Sequence, residues 1–345
     1  MKEPGPSFLD AINVKIIEEL YRHGARNLSM IARRIGVPRR TVHQRFTKLR
    51  SQGLRVRAAP RYGEMGMLFA VAMISVPIGG LRRTISHLSS LPYLHTLFVS
   101  HGAVEGVVAF VAAPIGEVED VREGIASVCR EVSGTCEVVF SGGPYPLVPC
   151  FECYDVRDKV WHIRCEVDYE EDESISRALN DPLGQPRKVD AVDIFIISRL
   201  HRDGTVKMSR LSSELGVSKV LLKYHYDRHV VNLLFDRYQV EFKRFACDHS
   251  MLLLLDVEVE DRGGMVELAS MISRTPFPLS VMKVIRENRL LFLLEATAPA
   301  VENGIYRMLE EGAERLGITS HRLSIVREVT RGNPFEAVLR SARTP

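Results

Sequence analysis

Residues 9–49 of the chain read LDAINVKIIEELYRHGARNLSMIARRIGVPRRTVHQRFTKL, and residues 189–229 read VDAVDIFIISRLHRDGTVKMSRLSSELGVSKVLLKYHYDRH. An offset of 180 residues aligns the two stretches without a gap, and about ten positions are identical, among them Asp10 with Asp190 and Gly36 with Gly216. The apolar spacing agrees as well. The sequence therefore predicts a module that is duplicated within one chain.

Each copy has the pattern of three short helices. In the first copy Asp10 can cap a helix that ends at Gly24, and Asn27 can cap a second. Gly36 and Val37 make a short turn to a third helix, which opens with Pro38 and is stopped by Gly53. Its inward stripe is Val42, Phe46 and Leu49. The alternating stretch from Leu54 to Tyr62 then predicts a basic wing hairpin.

The apolar period changes from 3.6 to 2 after each three-helix unit, which marks a sheet. The order predicted in both copies is βαββαβ, so the fold class is α+β: two winged helix-turn-helix domains, each followed by a ferredoxin-like domain. The predicted boundaries are 8–64 and 67–142 for the first copy, 143–187 for a hairpin and acidic linker, 188–247 and 249–330 for the second copy, and 331–345 for a C-terminal tail.

Length and composition favour several small domains in a cytoplasmic protein. The 345 residues exceed what one hydrophobic core usually organises, and six scattered cysteines suit a reducing compartment. The N-terminus has no long apolar run, and no segment sustains the roughly 18 apolar residues of a membrane span.

The third helix of the first copy carries the residues expected to contact double-stranded DNA. From Met1 to Gly63 fourteen Lys and Arg stand against four acids, a net charge of +10, which suits a phosphate backbone. Opposite the inward stripe lie Arg40 and Gln44, the candidates for base contacts, with Thr47, His43 and Lys48 beside them. The residues expected at phosphates are Arg39, Lys48, Arg50, Arg55, Arg57 and Arg61. The alternative to DNA contact is that these basic residues only face solvent.

The second copy departs from this pattern, because Val220, Tyr224 and Asp227 stand where Arg40, Gln44 and Thr47 do. The remaining basic residues are Lys219, Lys223 and Arg228. The third helix of the second copy could contact DNA weakly, or it could bind a protein partner such as a basal transcription factor, and the sequence leaves both alternatives open. The cluster Tyr224, His225, Tyr226 and His229 is a candidate ligand site, with a core role as the alternative.

The cysteines offer a weak metal candidate: Cys150, Cys153, His162 and Cys165 have suggestive zinc-ligand spacing. The alternative is a reduced β-hairpin in which Tyr154 and Trp161 pack across the strands. No Gly-rich nucleotide loop, Gly-Lys-Ser, His-Glu-x-x-His or serine nucleophile elbow occurs. The expectation is a protein that is not an enzyme and has no cofactor.

The stretch from Leu9 to about Phe140, which begins Leu-Asp-x-x-Asn-x-x-Ile-Ile and passes Gly66-Met67 before the sheet, resembles the Lrp/AsnC (feast/famine) transcription regulators. The second copy resembles them more remotely. The resemblance implies a DNA-binding regulator of archaeal type, with RAM/ACT-like α/β domains for dimerisation. The chain would then be a pseudo-dimer that can pair again as a homodimer.

The resemblance also implies that a small-molecule effector could bind, and it suggests two alternative functions. An effector would bind at His101, Gly102 and Glu105, although the family's Gly-x-x-Asp loop is altered here and an ordinary hairpin turn is the alternative. Siroheme decarboxylases resemble the same family in fold, with two such units around a tetrapyrrole. The basic third helix argues against that enzyme. A protein-interaction adaptor is the remaining alternative.

Overall fold

The computed structural model describes residues 1–163, 172–180, 186–246 and 250–341. Up to residue 162 the elements are β1 (Lys2–Pro4), α1 (Ala11–His23), α2 (Leu28–Arg34), α3 (Arg39–Ser51), β2 (Arg55–Pro60), β3 (Met67–Ser75), α4 (Leu81–Ser89), β4 (Leu94–Gly102), β5 (Gly106–Pro114), α5 (Val118–Glu131), β6 (Thr135–Ser141), β7 (Tyr145–Pro146), β8 (Tyr154–Asp155) and β9 (Val160–His162). They continue with α6 (Glu173–Ala178), α7 (Ala191–Arg202), α8 (Met208–Leu215), α9 (Lys219–Arg228), β10 (Leu234–Glu241), β11 (Met251–Val259), α10 (Arg262–Ser273), β12 (Pro278–Lys283), β13 (Arg289–Ala296), α11 (Ala298–Ala300), α12 (Arg307–Leu316), β14 (Ile318–Arg331) and α13 (Pro334–Ser341). A π-helical stretch, Val301–Tyr306, joins α11 to α12.

The helix starts follow the capping residues that the sequence predicted. The Asp10 side chain accepts hydrogen bonds from the backbone N–H groups of Ile12 and Asn13, and Asn27 accepts one from Met30. Gly24 ends α1 with a φ of 63°. Asp190 caps α7 in the same manner as Asp10 caps α1. The second half thus has a three-helix unit, α7 to α9, in the same order as the first, while its assignment as a helix-turn-helix and the duplication itself stay predictions.

The predicted βαββαβ order is present in both halves, and the α+β fold class is confirmed. The two sets of four strands, together with β7, form one sheet of nine strands in the order β6-β3-β5-β4-β14-β11-β13-β12-β7. The halves join where β4 pairs antiparallel with β14, from Gly102 opposite Ser324 to Thr96 opposite Arg331. β14 is long, Ile318–Arg331, because β4 of the other half supplies partners for its backbone from Ser324 to Arg331.

The sheet curves until its two ends meet. Ser141 of β6 bridges Val284, just beyond β12, and the N–H of Ile285 donates to the carbonyl of Phe140. Side chains on the inner face, such as Phe69, Phe110 and Leu254, form one buried cluster with α7. The helices α4 and α5 cover the outer face of the first domain, and α10 and α12 cover that of the second.

The predicted wing hairpin after α3 is wrong. β2 does not fold back on its own chain segment; it pairs antiparallel with β10 from the second half, with Arg57 opposite Gln239 and Arg55 opposite Glu241. α1 packs on β10 and α7 packs on β2, so each three-helix unit rests on a strand of the other half. Only one strand was available within the segment from Leu54 to Tyr62, and its partner lies about 180 residues away in sequence.

The expected hairpin around residues 154–162 is confirmed. Tyr154 lies opposite Trp161 in the β8–β9 ladder, and their ring centroids are 4.7 Å apart. β1 adds to this ladder beside β9. Trp161 is fully buried, and its indole N–H donates to the carbonyl of Arg244 at 2.8 Å. Most of the acidic run expected as linker, including Asp168, Glu170 and Glu171, lies outside the described residues.

The predicted C-terminal tail is wrong for residues 334–341, which form α13. Phe335 is fully buried, stacks on Tyr62 with ring centroids 5.7 Å apart, and contacts His201 edge-on. The spacing of Phe335, Val338 and Leu339 is typical of a helix, but no helix was predicted here. Among the described residues, no helix combines the length and the apolar character needed to cross a bilayer.

Replacement of Phe335 by Ala should destabilise the protein by about 3–5 kcal/mol, because it removes a buried ring and leaves a cavity beside Tyr62. The measurement is urea unfolding followed by circular dichroism. Ile78→Ala is the matched control, because Ile78 is 94% exposed and should change the unfolding free energy by less than about 0.5 kcal/mol. Equal effects of the two substitutions would contradict the packed position of α13.

Candidate nucleic-acid interface

The outer face of α3 is exposed along its whole length. Val42, Phe46 and Leu49 are buried, as the periodicity predicted. The polar and basic residues point away from them, and the exposed members are Arg39, Arg40, His43, Gln44, Thr47, Lys48 and Arg50. The Thr47 hydroxyl donates to the carbonyl of His43 at 2.9 Å, so this side chain is held against the helix.

Two basic residues of α3 have partners within the protein. Arg45 turns inward, and its guanidinium donates to the Asp10 carboxylate at 2.5 Å and to the Asn13 amide oxygen at 3.1 Å. Arg50 donates to the Thr205 hydroxyl of the second half at 3.1 Å and stays exposed. Arg33 and Arg34 at the end of α2 are exposed as well. The positive surface therefore spans the end of α2 and the outer face of α3.

The strand after α3 offers fewer cations than the sequence predicted. Arg55 is exposed, but the side chain of Arg57 is only 12% exposed and lies 3.7 Å from the carboxylate of Glu241. Arg61 is half-buried. This position disfavours the expected phosphate contact of Arg57, which stays a prediction, because the pairing of β2 with β10 directs its side chain toward Glu241 between the two halves.

The outer face of α9 differs in character from that of α3. Lys219, Lys223 and Arg228 are exposed, as predicted, but Lys223 forms an ion pair with Asp227 on the same helix. Between them lie apolar side chains: Val220 is 80% exposed, Tyr224 55% and Leu221 43%. This mixed surface lacks the continuous positive charge of α3.

The predicted effector residues lie in the turn between β4 and β5. The Glu105 carboxylate accepts from the N–H of Gly102 at 2.8 Å and from the His101 ring at 3.3 Å, and these bonds lower the pKa of Glu105. Gly102 has a φ of 109°, where a Cβ would lie 2.9 Å from the carbonyl oxygen of Leu323. The polar groups of the loop bond to one another, which fits a hairpin turn, and the effector assignment stays a prediction.

Of the zinc candidates, Cys150 is half-buried and Cys153 is buried, while Cys165 lies outside the described residues. Within the part of the chain that the structure describes, Cys150, Cys153 and His162 do not bring three ligand atoms together. Hydrogen bonds from the side chain and the backbone N–H of Cys153 lower the pKa of Cys150 to about 6. Cys150 therefore carries more thiolate at neutral pH than an ordinary cysteine does.

Among the described residues, the structure brings together a group of side chains that could bind a metal ion. The sequence predicted the two histidines of this group as candidate ligand residues but not its two aspartates. Asp190 and Asp193 at the start of α7 lie close to His225 of α9 and to His229, the residue that caps α9, and the four ligand atoms lie within 4.8 Å of one another. Tyr226 does not join this group, because its ring lies under the Arg26 guanidinium at 3.8 Å. The alignment of the two copies contains a signal for this group that the prediction did not use. At an offset of 180 residues His225 replaces Arg45, which pairs with Asp10, the counterpart of Asp190.

Comparison with known domains bears on the first three-helix unit. The AsnC-type helix-turn-helix domain matches residues 9–50, which span α1, α2 and nearly all of α3. Residues 9–50 are an AsnC-type helix-turn-helix domain.

Curated relatives match a longer stretch of the chain than this domain. The chain is 23% identical over 141 residues to an uncharacterized HTH-type transcriptional regulator of Pyrococcus horikoshii, which is 39% of this chain and 91% of the relative. It is 25% identical over 138 residues to one of Pyrococcus abyssi, which is 38% of this chain and 89% of the relative.

One solved structure is similar over nearly the whole chain. The siroheme decarboxylase NirDL superposes with a TM-score of 0.58 at 13% identity, and the alignment covers 96% of this chain and 97% of that one. At this identity the likeness is one of fold. It extends the comparison from the AsnC-type domain to the arrangement of both halves.

Cys150 should be alkylated by iodoacetamide much faster than Cys129 at pH 7. The thiolate is the reactive form, and the pKa of Cys150 is about 6 whereas burial raises that of Cys129 to about 11. Reactivity of Cys150 should fall as the pH drops below about 6, which peptide mass spectrometry at a series of pH values would measure. Cys153→Ser removes the thiol partner and should slow the reaction; an unchanged pH profile in that variant would contradict the assignment.

Proposed function

We propose that the protein is a sequence-specific DNA-binding transcription regulator that reads double-stranded DNA mainly through α3 of the AsnC-type domain. The observation that carries the proposal is the exposed face of α3, where polar and basic side chains lie opposite or beside a buried apolar stripe. Long polar side chains on the outer face of a last helix are what the major groove requires. The matches to transcription regulators support the same function.

The side chains divide by the contact each can make. Arg40 and Gln44 are one turn apart on the exposed face, and both side chains can form paired hydrogen bonds with purine edges. Arg39, Lys48, Arg50 and Arg55 flank them and would bind phosphates, which sets register and salt dependence. Arg57 has no part in this set, because it faces Glu241.

The second three-helix unit would have another role. Its outer face places Val220, Leu221 and Tyr224 where a DNA-reading helix needs polar groups, and Asp227 would be repelled by phosphate. Contact with a protein of the transcription machinery suits such a surface better than base recognition does. The two α/β domains would hold the units as a pseudo-dimer.

The double substitution Arg40→Ala and Gln44→Ala should abolish sequence preference. Each paired contact contributes about 1–3 kcal/mol of discrimination, so affinity for the preferred site should fall about 10-fold to 100-fold or more. The measurement is selection of bound genomic fragments by the purified protein at moderate salt, followed by titration of the enriched site.

The matched control changes the aligned positions of the other unit, Val220→Ala and Tyr224→Ala, and should leave the motif unchanged. Lys48→Ala should weaken binding to all sequences alike. It should also reduce the slope of log affinity against log salt concentration by about 1, the value for one phosphate contact. Loss of the motif in the control, or its survival in the Arg40 and Gln44 variant, would refute reading by α3.

A siroheme-decarboxylase-like activity is the second candidate, because the similarity to NirDL covers almost the entire chain. A structure of that enzyme holds an iron-uroporphyrin III analogue. The exposed basic face of α3 is not a feature that tetrapyrrole chemistry requires, and it favours the regulator.

Titration of the protein with iron-uroporphyrin III, followed by visible absorption, separates the two functions. The regulator should give no saturable spectral change. A saturable change at one equivalent per chain, together with no enriched DNA motif, would establish the enzyme in its place.

A further inference from the structure

The contact between α7 and α9 brings together two carboxylates and two imidazoles. Nδ1 of His225 lies 2.9 Å from Oδ1 of Asp193, and Nδ1 of His229 lies 3.1 Å from Oδ2 of the same carboxylate. Oδ2 of Asp190 lies 3.7 Å from Nδ1 of His225. Asp193 lies in the first turn of α7 and His225 in the last turn of α9, while Asp190 and His229 are the residues that cap these two helix ends.

The same place in the first half is occupied by a neutral and self-sufficient network. There Arg45 donates to both Asp10 and Asn13, so one guanidinium neutralises one carboxylate. At the aligned positions of the second half, Asn13 is replaced by Asp193, Arg45 by His225 and Leu49 by His229. The guanidinium is lost and a second carboxylate is gained.

This exchange leaves negative charge in a buried position. The side chain of Asp193 is 1% exposed and that of His225 is 11% exposed. Among the described residues, neither Asp190 nor Asp193 has a Lys or Arg partner within 4.0 Å. The partners of the buried Asp193 carboxylate are the two imidazoles and the N–H of Asp190, so its charge must be balanced either by a protonated histidine or by a bound cation. A bound cation would balance the Asp190 carboxylate as well.

We propose that Asp190, Asp193, His225 and His229 bind a divalent transition-metal ion of the Zn²⁺ class. Imidazole nitrogen and carboxylate oxygen are zinc ligands at about 2.0–2.2 Å, which places tetrahedral ligand atoms roughly 3.3–3.5 Å apart. The separations of 2.9, 3.1 and 3.7 Å lie around that spacing, and the four ligand atoms all lie within 4.8 Å of one another. Two carboxylates neutralise the dication, and the two histidines bind it as neutral imidazoles.

The surroundings also suit a metal site. Oδ1 of Asp190 already accepts the N–H groups of Val192 and Asp193, which holds the carboxylate and leaves Oδ2 for the ion. The ring of Tyr224 packs edge-on against His225 and His229, with centroids 5.9 and 5.6 Å away. The ion would fix α9 against α7, and with it the exposed surface of the second unit. This site is independent of DNA reading by α3.

The test uses the full chain after removal of metal with a chelator. Calorimetric titration with ZnCl₂ should show one ion per chain, and Co²⁺ should produce the visible absorption of a four-coordinate site. His225→Gln and His229→Gln should each weaken Zn²⁺ binding by more than about 100-fold, since loss of even an outer partner of a metal ligand costs 10–100-fold. Excess Zn²⁺ should raise the melting temperature of the wild-type chain and not that of the variants.

Two control variants locate the site. His87→Gln changes a half-buried histidine of the first half, far in sequence from the four proposed ligands, and should bind Zn²⁺ as the wild type does. Cys150→Ser with Cys153→Ser should also retain the ion, so that binding at the cysteines is distinguished from binding at α7 and α9. Failure of the wild-type chain to bind one Zn²⁺, retention of binding by His225→Gln with His229→Gln, or loss of binding in the cysteine variant would each overturn the proposal.

Discussion

The antiparallel pairing of β4 with β14 is the interaction on which the rest of the structure depends. It converts two four-stranded sheets into one continuous sheet and aligns them in a fixed register. Because the joined sheet curves until β6 reaches the end of β12, its inner face becomes a single buried core with side chains from both halves. Neither α/β domain could close that core alone.

The exchange of strands between the three-helix units follows from the same geometry. β2 pairs with β10 while α1 packs on β10, so the position of each unit is set by the other half of the chain. Arg244 strengthens this link: fully buried, it donates to the carbonyls of Pro276 and Pro278 and to the Tyr21 hydroxyl. The helix α3 is therefore supported by contacts from both halves of the chain.

Local patterns in the sequence predicted the features that neighbouring residues determine. The caps Asp10 and Asn27, the strand order of both domains and the exposed face of α3 all follow from spacing within a few turns or strands. The partner of β2, the extension of β14 and the burial of Arg57 depend on residues far away in sequence, which periodicity does not reveal. The burial of Phe335 could have been predicted from its helical spacing with Val338 and Leu339, but its stacking on Tyr62 could not.

The two third helices differ on both their inner and outer faces, and the differences are linked by charge. On α3 an inward cation, Arg45, neutralises Asp10, and the outer face keeps its positive charge for an anionic partner. On α9 the inward cation is absent, two carboxylates meet two imidazoles, and the outer face pairs Lys223 with Asp227 beside exposed apolar residues. A change of Arg45 to His alone would leave Asp10 without its cation, and a change of Asn13 to Asp alone would add a second buried charge beside a single guanidinium. The histidines and the second aspartate are therefore best understood as one set, whose charge the metal ion proposed above would balance. Their contacts join α7 to α9 and leave the outer face of α3 unused.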